Sequence, residues 1–215
     1  MESPSRWILL LMILSLISLF FFPATSYADA CWMKYFRKDS LVNTYMRAYA
    51  VDGENLWVGT NGDGVVVYSG KETKNYSCKN TRSGSSVADG LISDNITSIA
   101  IDSRNHRVWI GTNEGLSTCN LDGTDWKRFA AKDGLPNNVI RDVAVDDRGI
   151  VWVGTPSGVA SFNGEAWKVF TTSTSGLYAD SVHSITVKGN TVWVATVDGS
   201  VNRFDGETWK AVIHH

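Results

Sequence analysis

Acidic and amide side chains recur beside two kinds of turn in this sequence, and their chemistry is that of oxygen ligands. Carboxylate and amide oxygens that converge on one point can hold a cation or the hydroxyl groups of a sugar. The same residue types also form turns, because their side chains bond to nearby backbone amides. Both interpretations stay open for two sets of residues: Asp94, Asn95, Asn137, Asn138 and Asp180 in the first, and Asp63, Asn113, Glu114 and Asp198 in the second.

Tryptophan is the other residue type whose spacing suggests a function, since an indole ring can stack on a sugar. A tryptophan that occupies the same place in every repeat is more typical of a packing layer between neighbouring elements. We therefore expect a structural core that contains the following tryptophans: Trp32, Trp57, Trp109, Trp126, Trp152, Trp167, Trp193 and Trp209.

Catalytic and metal chemistry have little support in this sequence. The histidines and cysteines are scattered, with neither a C-x-x-C pattern nor the spacing of a zinc site. No nucleophile, base and orienting residue can be picked out together. We expect no metal, no cofactor and no enzymatic activity. The odd number of cysteines predicts that at least one is free, lipidated or intermolecular; they are Cys31, Cys78 and Cys119.

Four copies of one short block organise the chain. The blocks LWVGT, VWIGT, VWVGT and VWVAT place a tryptophan at intervals of 52, 43 and 41 residues. These intervals are close to the length of a four-stranded propeller blade, about 40 to 50 residues. An alternating apolar segment and a polar turn precede each block, and a glycine leads from it to a third strand. A fourth strand, marked by tryptophan in three of the copies, completes each repeat.

The predicted fold class is therefore all-β, a β-propeller of four four-stranded blade repeats. The repeat units are expected at about 45–78, 96–131, 139–172 and 182–213. An additional strand of the fourth type is expected at 32–37, because residues 32–52 align without a gap on residues 126–146. Both sets of polar turns then fall on one face of the blades, around the mouth of the channel.

The repeat resembles a known family. "GLPNNVIRDVAVDDRGIVWVGTPSGV" at 134–159 and "GLISDNITSIAIDSRNHRVWIGTNEGL" at 90–116 are similar to the two-component-regulator propeller repeat. That repeat is found in the periplasmic sensor regions of hybrid histidine kinases and in free-standing exported proteins. The resemblance covers essentially all of residues 32–213 and implies an exported β-propeller of the free-standing type, without a kinase. The last unit departs from the pattern, with Ala195 in place of Gly and Ser200 in place of Leu.

The N-terminal residues predict export. Arg6 is followed by an apolar run from Trp7 to Phe22, and Ala28-Asp29-Ala30 forms a small-residue cleavage site. This pattern indicates a signal peptide at 1–30 and a mature propeller domain at 31–215, periplasmic or extracellular, without a membrane span after cleavage. A lipid anchor on Cys31 is a minority alternative. The net charge of −2, with no basic stripe, argues against nucleic acid as a partner.

The strand count raises the question of how the propeller closes. There are four sets of first to third strands but five strands of the fourth type, and an open array leaves exposed edges. The chain would close as a small four-bladed ring or be completed by other copies, and we expect a homo-oligomer. The expected function is an exported, non-enzymatic scaffold that binds a protein partner or copies of itself. The alternative is a lectin-like or sensor-like propeller that binds a glycan or small ligand.

Overall fold

The computed structural model describes residues 45–70, 72–81 and 90–213. Every described residue belongs to one compact unit of the chain. The predicted signal peptide, the strand at 32–37, Trp32 and Cys31 lie outside the described residues. No helix in the described part of the chain has the length and apolar character that crossing a membrane requires.

The described residues form four antiparallel sheets of four strands each, which are the blades of a β-propeller. Within every blade the strands lie side by side in chain order, so each blade is a meander of three hairpins. Blades 1 and 2 contain β1 (Met46–Asp52), β2 (Asn55–Thr60), β3 (Val65–Tyr68), β4 (Thr73–Tyr76), β5 (Ile96–Asp102), β6 (Arg107–Thr112), β7 (Leu116–Asn120) and β8 (Lys127–Phe129). Blades 3 and 4 contain β9 (Asp142–Val145), β10 (Val151–Thr155), β11 (Gly158–Phe162), β12 (Trp167–Phe170), β13 (Val182–Lys188), β14 (Thr191–Thr196), β15 (Val201–Phe204) and β16 (Trp209–Ile213).

The repeated tryptophan fixes the register of each blade. Trp57 lies opposite Ala50, and Trp109 lies opposite Ala100. A small residue opposite the indole leaves room for the ring to lie along the sheet and contact the next blade. A different glycine leads into the third strand, and its backbone conformation is one that other residues rarely adopt: φ is 149° at Gly115 and 124° at Gly158.

Three apolar clusters join the blades, one at each junction between consecutive blades. At the first junction Tyr76 stacks on Trp57 and contacts Trp126, with ring centroids 6.0 and 5.5 Å apart. At the third, Phe170 stacks on Trp152 and meets Trp209 edge-on. Trp57, Trp109, Trp126, Trp152, Trp167 and Trp209 therefore pack at the junctions between blades, whereas Trp193 is only half-buried.

One inner side chain links three blades. The Asp142 carboxylate accepts a hydrogen bond from the Ser98 hydroxyl in blade 2 at 2.8 Å and one from the Ile185 N–H in blade 4 at 2.7 Å. The same carboxylate also accepts the N–H of Val143. Because charge-assisted bonds of this kind are strong, Asp142 ties the first strands of blades 2, 3 and 4 together.

Blade 4 departs from the expected burial. Its second strand carries the same repeated block as the other three, yet buried and half-buried residues alternate along β14. Strand β10, by contrast, is buried throughout. The physical reason is that β10 has a packed blade on each side, whereas the face of β14 that carries Trp193 has no comparable cover.

Candidate functional site

The two predicted sets of polar turns lie next to each other in the structure. The loop before β5 pairs with the loop between β2 and β3: Asn61 bridges to Asn95, and the backbone N–H groups of Gly62 and Gly64 both donate to the Asp94 carbonyl at 3.0 Å. On the other side, the Ser93 hydroxyl donates to Asn113 in the β6–β7 loop. The loops thus form a connected rim at one end of the blades.

Most of the predicted ligand groups on this rim are engaged in holding turns. The Asp94 carboxylate accepts the N–H of Cys78, and the Asp180 carboxylate accepts the N–H of Thr172, each at 2.7 Å. The Asn138 side chain accepts the N–H of Ala131, also at 2.7 Å. Asn137 accepts the N–H of Val139 and donates to Ser157. These bonds are the turn-forming role that the residue types also predicted.

Three carboxylates of the rim remain exposed at one equivalent place. Asp63, Glu114 and Asp198 each stand directly before the glycine that leads into the third strand of blades 1, 2 and 4. The Asp198 carboxylate accepts the Thr196 hydroxyl at 2.6 Å and the Ser200 N–H at 3.1 Å. These two donors hold the pKa of Asp198 below its usual value. Asp198 is therefore ionised at neutral pH.

No metal centre emerges in the described part of the chain. No three of its histidine, cysteine, aspartate and glutamate side chains are grouped so as to hold a metal ion. Burial raises the pKa of the Cys119 thiol to about 12. At neutral pH this cysteine is a protonated thiol that packs in the first junction, and a protonated thiol is a poor nucleophile.

Sequence reasoning did not anticipate a groove of about 350 Å³ between blades 2 and 3. It is lined by Trp109 and by the cationic side chains of Arg107, Lys127 and Arg148, which no motif brings together. All three cations have carboxylate partners, and Lys127 lies 3.6 Å from Asp125. Arg107 pairs with Asp125 at 2.7 Å and is the first cause of the lowered pKa of that carboxyl, and Arg148 pairs with Asp146 at 2.6 Å.

The inner strand of blade 1 carries an exposed apolar surface, which we call the β1 patch: Tyr45, Met46, Tyr49 and Val51. Met46 is 60% exposed and Tyr49 is 76% exposed. The residues of β5 at the same two register positions, Ile96 and Ile99, are 0% and 8% exposed because they pack on blade 1. The patch is confined to β1, since Val58 on β2 is buried.

Blade 4 exposes the opposite face. We call this surface the β14 face and define it by Trp193, Ala195 and Val201, all of which are only half-buried. The corresponding residues of blade 1 are Trp57, Gly59 and Val65, and all three are buried under blade 2. Ile213, which pairs with Val201, is 51% exposed. Sequence reasoning missed both surfaces, because their residues follow the same alternating pattern as the buried repeats.

Comparison with known proteins identifies the repeat. The family model described as the two-component regulator propeller matches residues 90–114 and 134–157. A protein of Formosa agariphila named histidine kinase P4 is 31% identical over 179 residues, which are 76% of this chain and 13% of that protein. The chain thus spans about an eighth of the length of this curated relative. The repeat predicted from the sequence is confirmed.

Solved structures agree on the fold. The extracellular domain of a B. thetaiotaomicron protein described as a hybrid two-component system superposes with a TM-score of 0.66 at 21% identity, over 80% of this chain and 23% of that one. The extracellular domain of a one-component system from the same organism gives 0.62 at 21% identity, over 80% of this chain and 24% of the other. At this level of identity the likeness establishes the propeller architecture.

Proposed function

Because this chain carries the repeat of the two-component regulator propeller family, we propose that it is an exported, non-enzymatic propeller module that binds a protein through its β1 patch. The observation that carries the proposal is the exposure of Met46, Tyr49 and Val51 at positions that are covered in the other blades. Contiguous apolar surface on a soluble domain marks a contact site. Tyrosine is also the kind of residue that dominates the energy of protein interfaces.

Export is supported by two observations of different kinds. Residues 1–30 have the pattern of a secretory signal peptide. The two superposable structures are, by their own descriptions, extracellular domains. A non-catalytic role is supported by the rim, where side chains such as Asp94 and Asp180 hold turns, and by the protonated state of Cys119.

The proposal is tested by site-specific photo-cross-linking. Tyr49 is replaced by benzoylphenylalanine, and the full chain is irradiated in the cells that export it. A matched control carries the same group in place of Tyr178, which is 47% exposed on another part of the molecule. We expect a protein adduct from position 49 and none from position 178. Equal adducts from both positions, or none from position 49, would overturn the proposal.

A second candidate function is glycan binding at the rim. The repeated exposed carboxylates of Asp63, Glu114 and Asp198 favour it, since carboxylates accept hydrogen bonds from sugar hydroxyls. Titration with a panel of oligosaccharides tests this candidate. Binding that is lost when Asp63 and Glu114 are changed to Asn and Gln would support it, and the absence of binding across the panel would remove it.

A further inference from the structure

The three junctions between blades share one close contact. In each, a branched side chain in the first strand, or two residues before it, lies on a glycine of the preceding blade, with no room between them for a methyl group. A Cβ built on Gly111 would lie 2.7 Å from Ile140 Cγ2, and one built on Gly154 would lie 2.5 Å from Val182 Cγ1. Gly59 stands in the same relation to Ile96. The atoms that would clash include a branch at Cβ in every case.

Both partners of this contact change at the two exposed surfaces. Ala195 occupies the glycine position, because it pairs with Val201 as Gly154 pairs with Val159. Met46 occupies the position of the branched residue, because it pairs with Thr60 as Ile96 pairs with Thr112. The methyl group of Ala195 leaves no space for a branch at Cβ, and methionine has none. Methionine is also flexible enough to fill the remaining space.

Two further positions of these surfaces match the internal junctions. Tyr49 stands where Ile99 and Ile185 stand, and these isoleucines are 8% and 7% exposed. Trp193 stands where Trp57 stands, and Trp57 is fully buried in the cluster that includes Ile99. The β1 patch and the β14 face are therefore the two halves of a fourth junction. Each half is exposed, so within the described part of the chain neither surface covers the other.

We propose that the β1 patch of one copy docks on the β14 face of a second copy, with Met46 on Ala195 and Tyr49 beside Trp193. This inference rests on the proposed function and names the partner as this chain itself. The partner is identified by the paired change at Met46 and Ala195. An alanine at this position accommodates the unbranched Met46 better than the branched side chains found at the same place in the other blades. The contact is heterologous, so copies add head to tail until a ring closes or a filament grows.

The first test uses two variants that each block one surface. Tyr49→Asp disables the β1 patch, and Ala195→Asp disables the β14 face. We expect the unaltered protein to have at least twice the monomer mass in light scattering, and each variant alone to be monomeric. An equimolar mixture of the two variants should give a complex of two copies, since each retains the surface that the other has lost. Val169→Asp, at an exposed position on β12, is the control and should retain the mass of the unaltered protein.

The second test probes the contact between Met46 and Ala195. Met46→Ile should weaken self-association by about tenfold or more, which corresponds to about 1.4 kcal/mol, because the added branch meets the Ala195 methyl group. Adding Ala195→Gly recreates the internal pair of Gly59 and Ile96 and should restore association. Both variants change surface residues, so circular dichroism is expected to show an unaltered fold.

Several outcomes would overturn the inference. One is a Tyr49→Asp variant that still dimerises by itself, because the contact would then not be head to tail. Another is an unaltered protein that is monomeric while position 49 cross-links to a different protein, which would leave the proposed function intact. A monomer in which position 49 gives no adduct would overturn both proposals. Failure of Ala195→Gly to rescue Met46→Ile would exclude the docking geometry.

Discussion

At the residue scale, the junctions between blades depend on glycines, which have no Cβ atom. Gly111 and Gly154 are required less for their backbone angles than for the space that the next blade occupies. In the sequence, the glycine of the W-[VI]-G-T block is a repeated residue whose structural role is not evident. The cause of the pattern became visible only when Ile140 and Val182 were seen to lie on these glycines, since a contact between residues from different repeats leaves no local signal.

The junction between blades 3 and 4 can be given the same pair of side chains as the proposed junction between two copies. Gly154→Ala alone should destabilise the protein by about 1–3 kcal/mol, because the new methyl group overlaps Val182. Adding Val182→Met, which reproduces the pair of Ala195 and Met46, should recover most of this loss. Urea denaturation of the two single variants and the double variant measures the coupling. The control, Ala195→Gly, should change stability little, and additive effects of the first two changes would refute the explanation.

A turn of blade 4 should give the protein part of its acid sensitivity. The N–H groups of Thr208 and Glu207 lower the pKa of Asp205 to about 2. A carboxyl whose pKa is lowered by folding contributes stability above its unfolded pKa of about 3.9 and loses the contribution as the pH falls towards 2. Asp205→Asn should therefore flatten the dependence of the free energy of unfolding on pH between about 4 and 2.

Blade 3 already contains a turn with asparagine at the position that corresponds to Asp205. Asn163 accepts two backbone N–H groups in the corresponding turn, from Glu165 and Ala166, without a charge. Asp205→Asn is therefore expected to keep the turn and to fold normally at pH 7. Urea denaturation at several pH values measures the effect. Parallel pH profiles for the two proteins would contradict the assignment to Asp205.

At the element scale, the sequence predicted the strands well and their exposure poorly. The alternation around Ile99 and Ile185 and the tryptophan blocks located all four blades, because each strand repeats the same local pattern. The same alternation in β1 gave no indication that Tyr49 is exposed, since exposure depends on whether another blade lies on the strand. The engagement of Asp94 by the backbone of Cys78 was equally hidden, because the two are far apart in the sequence.

The first strands of blades 2, 3 and 4 should depend on Asp142 for their mutual alignment. Asp142→Ala leaves the Ile185 N–H and the Ser98 hydroxyl without their acceptor, and the expected loss is about 1–3 kcal/mol. Ser184→Ala, at the equivalent position of blade 4, is the control and should cost less. Thermal unfolding of both variants makes the comparison. An equal loss in the two would show that the position matters for packing and not for the carboxylate.

At the scale of the whole molecule, the four blades are not equivalent. Blades 2 and 3 have packed neighbours on both faces, whereas blade 1 exposes the β1 patch and blade 4 exposes the β14 face. In an array whose stability comes from neighbour contacts, the units at the ends open first. The fold alone would not reveal this difference, and neither does the similarity of the four repeats.

Hydrogen exchange should detect this difference in stability between the inner and the terminal blades. In the Tyr49→Asp monomer, the backbone amides of β6 and β10 should exchange more slowly than those of β2 and β14, because only the former lie between two blades. In the assembled protein, β2 and β14 should gain protection and the difference should shrink. Uniform exchange in the monomer would show instead that the four blades open as one cooperative unit.

The pairing of Met46 with Ala195 also bears on how such a protein can change in evolution. A tandem duplication of the gene segment for residues 46–213 would place the Ala195 of the first segment before the Met46 of the second in one polypeptide. The new junction would already contain a compatible pair of side chains. A propeller array could then double its length in a single genetic event without a prior compensating substitution at that contact.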